Sequence, residues 1–189
     1  MQQEYYKNKS SVEEYIELAK DVSGAQLIEK LEQVLPTDST ILEIGSGPGT
    51  DWKILNQTFN VIGSDNSPAF LDHLRSENPK ETFLEIDAVN IDTDQKFDGI
   101  YSNKVLHHLQ TNELKASIKR QYEVLKPNGI VCHSFWQGEG SEIFKGMFVN
   151  YHTRSELEAF FDDYFDLLTI EPYAEFEDND SLLLIGRKS

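Results

Sequence analysis

Apolar positions in this chain recur with two different periods. Val12, Tyr15, Ile16 and Ala19 share one helical face behind the cap signature Ser10-Ser11 and Glu13-Glu14, and Gly24 breaks that helix. Leu27, Ile28, Leu31, Val34 and Leu35 continue at helical spacing, so a second helix is expected over 25–35, ended by Pro36. From residue 40 the texture changes. Short apolar runs at 40–44, 60–64, 82–86, 97–101 and 129–135 read as strands, and the stretches 50–58, 68–78 and 113–125 between them read as helices. Strands that alternate with helices imply βαβ units and a parallel sheet covered on both faces.

The last quarter differs. A helix is expected over 154–161, opened by Thr153 with Glu156 three residues on. Two strands, at 165–171 and 181–187, flank an acidic stretch at 174–180, and that spacing suits an antiparallel pair. Gly138, Gly140 and Gly146 predict a mobile loop over 137–150, a candidate lid.

Charge narrows the partners. Lys and Arg number 17 against 33 Asp and Glu, a formal charge of −16. Polyanion binding rests on Lys and Arg contacts to phosphate, so nucleic acid is not an expected partner. Basic residues meet only as the pairs Lys119-Arg120 and Arg187-Lys188. The longest purely apolar run is Leu182-Leu183-Leu184-Ile185, too short for a membrane helix, and the N-terminus carries no apolar signal-like stretch. The single cysteine, Cys132, excludes an internal disulfide and reads as a buried thiol in a strand. A cytoplasmic protein is expected, with the oligomeric state open. The five histidines form neither His-x-His nor His-Glu-x-x-His, and no metal site is expected.

Candidate chemistry concentrates where the first strand meets its helix. Leu42-Glu43-Ile44-Gly45-Ser46-Gly47-Pro48-Gly49-Thr50-Asp51 is a loop whose glycines admit positive φ and let a ligand approach bare backbone. Ligands of open α/β sheets sit at the carboxyl ends of the strands. Asp65 ends the second strand 20 residues after Gly45, the offset at which an acid bonds ribose hydroxyls in nucleotide-binding folds. A dinucleotide loop prefers Gly or Ala at its sixth position. Here that position is Thr50, and Gly49 comes one place early.

These residues carry a family resemblance. Glu43-Ile44-Gly45-Ser46-Gly47-Pro48-Gly49 resembles the first motif of class I S-adenosylmethionine-dependent methyltransferases. Asp65 resembles their ribose-binding acid, and Asp87-Ala88 the acid-plus-small pair beside the adenine. Ser102-Asn103-Lys104-Val105-Leu106-His107-His108-Leu109 resembles the segment after strand four. Leu125-Lys126-Pro127-Asn128-Gly129 resembles the turn before strand five, with Asn128 in place of a glycine. The resemblance spans residues 40–136 in order. It implies a Rossmann-like, seven-stranded, mostly parallel sheet with helices on both faces, the last strand antiparallel and a helical N-terminal segment. The implied organisation is one domain: a helical cap at 1–36, a cofactor-binding core at 37–136, then a lid loop, helix and terminal strand pair at 137–189.

The resemblance also implies roles. S-adenosyl-L-methionine would be the cofactor. Glu43 would support the loop, with Gly45, Ser46, Gly47 and Gly49 along the cofactor. Asp65 would take the ribose hydroxyls with Asn66 nearby, Asp87 and Ala88 would flank the adenine, and Ser102 and Asn103 would lie by the sulfonium. Methyl transfer from a sulfonium needs alignment and exclusion of water, and a base only for a protonated acceptor. His107 and His108, after the fourth strand, are the base candidates, and at most one would face the reacting centre. Tyr5, Tyr6, Trp136, Phe144, Phe148 and Tyr151 would supply an aromatic cover. The segment after strand four lacks Asn/Asp-Pro-Pro-Tyr/Phe, the pattern of amino-group methyltransferases acting on nucleobases or glutamine. A small-molecule acceptor is therefore expected. The competing readings are a cofactor-binding protein without turnover and a nicotinamide-dependent oxidoreductase, the latter disfavoured by Thr50.

Overall fold

In the computed structural model, residue 12 and residues 23–189 are described. The amphipathic face of Tyr15, Ile16 and Ala19, and the aromatics Tyr5 and Tyr6, lie outside the described residues. The first described helix with both ends in view is α1, Ala25–Glu32. The parallel part of the sheet then alternates with helices: β1 (Thr40–Ile44), α2 (Thr50–Leu55), β2 (Asn60–Asp65), α3 (Pro68–Glu77), β3 (Phe83–Glu85) and β4 (Phe97–Asn103). A 3₁₀ turn, Leu106–His108, leads into α4 (Thr111–Val124), followed by β5 (Leu125–Trp136). The remainder is β6 (Ser141–Phe144), β7 (Met147–Asn150), α5 (Arg154–Phe161), β8 (Phe165–Tyr173) and β9 (Ser181–Lys188).

Seven strands form one sheet in the order β3-β2-β1-β4-β5-β9-β8. β9 pairs antiparallel with both β5 and β8, so it alone runs against the rest. This is the expected Rossmann-like sheet with its last strand reversed. The chain moves outward in one direction from β1 to β3 and in the other from β4. The strand order therefore reverses between β1 and β4, where a crevice opens at the carboxyl ends.

The pleat divides the core in two. Leu42 and Ile44 of β1 and Val131 and Phe135 of β5 pack with Leu114 and Ile118 of α4 and Leu157 and Phe161 of α5. Ile41, Ile130 and Cys132 face the other side, against Leu27 and Leu31 of α1, Trp52 of α2 and Leu71 of α3. Cys132 is a buried free thiol, and burial pushes its pKa up.

The helix expected over 25–35 ends at Glu32, the strand expected over 129–135 begins at Leu125, within the expected turn, and three more elements depart from expectation. The expected helix over 50–58 ends at Leu55, and residues 56–58 turn toward β2. α4 begins at Thr111 because Gln110 and Glu113 form a reciprocal capping box, which uses an amide where a hydroxyl is usual. The expected loop over 137–150 contains a hairpin. β6 pairs antiparallel with β7 through Phe144↔Met147, and the turn residues Lys145 and Gly146 have φ of 49° and 80°. Two positive φ values in a two-residue turn match the twist of a hairpin, and Gly146 adopts its value without Cβ strain. The hairpin was hidden in the sequence because all four residues of β6 are exposed and show no alternation.

Candidate functional site

The site is built around the end of β1. Gly45 and Gly47 have φ of 70° and 49°. A Cβ on Gly45 would lie 2.5 Å from a γ-carbon of Val105, so only glycine lets the loop and the β4 exit pack. A Cβ on Gly47 would meet nothing within 4 Å, so this bare backbone faces open space. Ser46 fastens the loop: its hydroxyl donates to Glu43 Oε2 at 2.5 Å and accepts from the Ser64 amide at 3.1 Å. Ser64 in turn donates its hydroxyl to the Glu43 carbonyl at 2.7 Å. Burial pushes the Glu43 carboxyl up to about 8; the Ser46 bond opposes this, and Asp51 and Asp65 add to it.

Asp65, at the end of β2, accepts from the Gly47 amide at 3.0 Å and the Ser67 amide at 2.8 Å. Burial raises its pKa against those bonds. Asp87 follows β3 and accepts from the Val89 amide at 2.8 Å, which curls the loop back on itself.

The β4–β5 register pairs Ser102 with His133 and Asn103 with Ser134. The pleat sends these two pairs to opposite faces. On one face Asn103 donates to Asp51 Oδ2 at 3.0 Å and accepts from the Ser134 hydroxyl at 2.5 Å. Asp51 also accepts from the Tyr101 hydroxyl at 2.8 Å and the Gly24 amide at 2.7 Å. Asp51 is thus a buried node joining α1, α2 and β4. On the other face Ser102 is fully buried against His133.

Beyond β4 the lining changes character. Lys104 has φ of 53°, and its ammonium lies 3.5 Å from the Trp136 ring centroid. It also donates to Ser181 Oγ at 2.5 Å and to the Phe135 carbonyl at 3.3 Å. Burial brings its pKa down to about 8, against the pull of Glu175 and Asp180. Trp136 stacks on Phe176 with centroids 6.0 Å apart. The hairpin adds Phe144, Met147 and Phe148. His108 Nδ1 donates to the Phe148 carbonyl at 2.7 Å, because a carbonyl only accepts. That bond fixes the tautomer with its lone pair on Nε2, and burial lowers the imidazole pKa.

These groups enclose a cavity of about 510 Å³. Of the residues singled out from sequence, Glu43, Gly45, Ser46, Gly47, Asp65 and Asn66 line it, as do Asp87, Ala88, Asn103 and His108. Three do not. Gly49 caps α2 beside Leu74, Ser102 points into the core, and His107 is buried behind His108 with its ring 4.0 Å away. His107 Nδ1 has no partner among the described residues, and burial holds its pKa well below the usual range. Sequence reasoning missed Asp51 and Phe70 as lining residues, and Lys104, Val105, Met147 and Phe176 on the aromatic side. Asp51 was visible as an acid closing the glycine loop; nothing in the acidic context of Phe176 marked it. Tyr151 does not line the cavity; its hydroxyl donates to Glu142 at 2.6 Å. Among the described residues, no helix is long and apolar enough to cross a membrane.

Comparison with known proteins agrees with this geometry. Residues 41–129 match the family model described as a methyltransferase domain. An uncharacterized methyltransferase of Oceanobacillus iheyensis is 33% identical over 119 residues, 59% of this chain and 56% of that protein. A trans-aconitate 2-methyltransferase of Variovorax paradoxus is 33% identical over 102 residues, 52% of this chain and 39% of that protein. The chain thus spans about half the length, or less, of these relatives. The fold matches that of 1,6-didemethyltoxoflavin-N1-methyltransferase from Burkholderia thailandensis, solved with S-adenosylhomocysteine. The TM-score is 0.77 at 19% identity, covering 95% of this chain and 84% of that one.

Proposed function

We propose that this chain, whose residues 41–129 match the methyltransferase-domain model, is of the class I type, binds S-adenosyl-L-methionine and transfers its methyl group to a small acceptor by in-line displacement. The cofactor supplies an activated methyl on a neutral leaving group. The protein's task is therefore alignment and exclusion of water.

One observation carries the reading: Gly47 presents bare backbone to open space beside Asp65, at the point where strand order reverses. A side chain there would intrude on a ligand, so the loop fits the cofactor. In this reading Gly45, Ser46 and Gly47 follow the methionine and ribose portions, and Glu43 anchors Ser46. Asp65 accepts ribose hydroxyls beside Asn66. Asp87 and Ala88 flank the adenine, and Asn103 stands at the sulfonium end. Gly49 acts by starting α2, and Ser102 acts from behind the wall. His108, with its Nε2 lone pair set by Phe148, is the base for a protic acceptor; His107 supports it from the core. The aromatic half, Trp136 with Phe144, Phe148 and Phe176, seats an apolar or flat acceptor. A relative named for trans-aconitate supports a small-molecule acceptor. The whole is one domain, with the hairpin and the terminal strand pair finishing the acceptor side.

Thermal shift with S-adenosylmethionine, S-adenosylhomocysteine and NAD tests the proposal. A ligand at 100 times its dissociation constant adds about 2.7 kcal/mol. For a domain of this size the midpoint should rise by roughly 5–10 °C. A shift with both sulfur nucleotides and none with NAD is expected. A shift with NAD alone would overturn the reading.

A further inference from the structure

A buried polar chain runs behind the adenine-side wall, and its direction is set at one end. The Ala88 carbonyl only accepts, so the Ser117 hydroxyl donates to it, at 2.6 Å. Ser117 Oγ then accepts from Gln121 Nε2 at 3.1 Å. The other end of that amide is an acceptor, so His133 Nε2–H donates to Gln121 Oε1 at 2.7 Å. His133 Nδ1 therefore carries the lone pair and accepts from the Ser102 hydroxyl at 2.8 Å. Ser102, Ser117, Gln121 and His133 are fully buried, and none of the four lines the cavity. Burial keeps His133 neutral, with its pKa brought down to about 3.

The chain ends at a loop whose Ile86 and Ile91 side chains are buried in the core. Residues 86–96 form neither helix nor strand. Ile91 has φ of 42°, a strained value for a β-branched residue. Arg120, three residues after Ser117 on α4, donates to the carbonyls of Asn90, Ile91 and Thr93. Helix α4 thus grips the loop at Ala88 and again beyond it, and the Ser102–His133–Gln121 series locks the Ser117 grip to the centre of the sheet.

Resting on the nucleotide assignment above, we propose that Ser117, Gln121 and His133 are positioning residues that set the place of the Ala88 carbonyl and so the grip on the adenosine half of the cofactor. Isothermal titration of the full chain with S-adenosylhomocysteine and with 5′-methylthioadenosine, which lacks the amino-acid half, tests this. Ser117→Ala should weaken both ligands by the same factor, about fivefold to tenfold. Ser117→Thr keeps the hydroxyl and should restore both. Gln121→Met, which breaks the chain while filling its space, should give a smaller loss for both. Wild-type affinity in Ser117→Ala would overturn the proposal. So would a loss that Ser117→Thr does not restore while the unliganded melting midpoint falls in step, since that is general loosening of α4. If the unsubstituted protein binds neither nucleoside, the cofactor assignment itself fails and the proposal with it. Binding of the parent with no change in the variants sinks the positioning role alone.

Discussion

The two halves of the cavity are made of different material. The half below β1 and β2 is mostly backbone and acids: Gly45, Ser46 and Gly47, with Ser46 bonded to Glu43 at 2.5 Å and the Gly47 amide to Asp65 at 3.0 Å, and Asp51 beside them bonded to Asn103. The half beyond β4 is large side chains: Lys104 under Trp136, Phe176 stacked outside, and the hairpin residues Phe144, Met147 and Phe148. The first half has one geometry because buried polar groups must be paired. The second leaves apolar surface in solvent, with Ile143, Phe144 and Phe176 each more than half exposed. A polar cradle suits a constant ligand, and an apolar wall suits one that differs between relatives.

Substitutions should separate the halves. His108→Ala should cut turnover on a protic acceptor by about 10²–10⁴-fold and leave S-adenosylhomocysteine affinity unchanged, as titration would show. Equal losses in both would erase the division. Asp65→Ala removes the acceptor of the Gly47 amide and, in the proposed complex, of a ribose hydroxyl. Cofactor affinity should fall about tenfold to hundredfold. Trp136→Ala strips the ring from the Lys104 ammonium and from Phe176. It should cost about 1–3 kcal/mol in denaturant unfolding with little change in cofactor affinity.

The last effect concerns pH. Glu43 has its folded pKa raised from 4.5 to about 8, so between those values the native state holds a proton that the unfolded state has lost. Its stabilising contribution is complete below about pH 4.5 and declines as pH rises through about 8, by at most about 1.4 kcal/mol per pH unit. Glu43→Gln should flatten the melting midpoint over that interval. A variant with the parent's slope would show that Glu43 does not titrate there.

Most of the sheet was readable because βαβ units declare themselves locally. The helix expected over 154–161 is observed as Arg154–Phe161, since its capping box lies in adjacent residues. The hairpin was not readable: its signal is the turn Lys145-Gly146, a weaker mark than Asn-Gly, next to a strand with no buried residue. The two histidines were equivalent in sequence. The 3₁₀ turn buries His107 and sets His108 on the cavity.

What the sequence by itself determined is the alternation of strands and helices in the parallel sheet, the glycine loop and the acids that close strands β2 and β3. Each depends on residue type within a few positions. Tertiary structure decided which polar groups meet. Ser102 and Asn103 are neighbours in sequence, yet one reaches Ala88 through His133, Gln121 and Ser117, and the other reaches Asp51. The reason is physical: a strand turns successive side chains to opposite faces, and only the register of β4 on β5 says what waits on each.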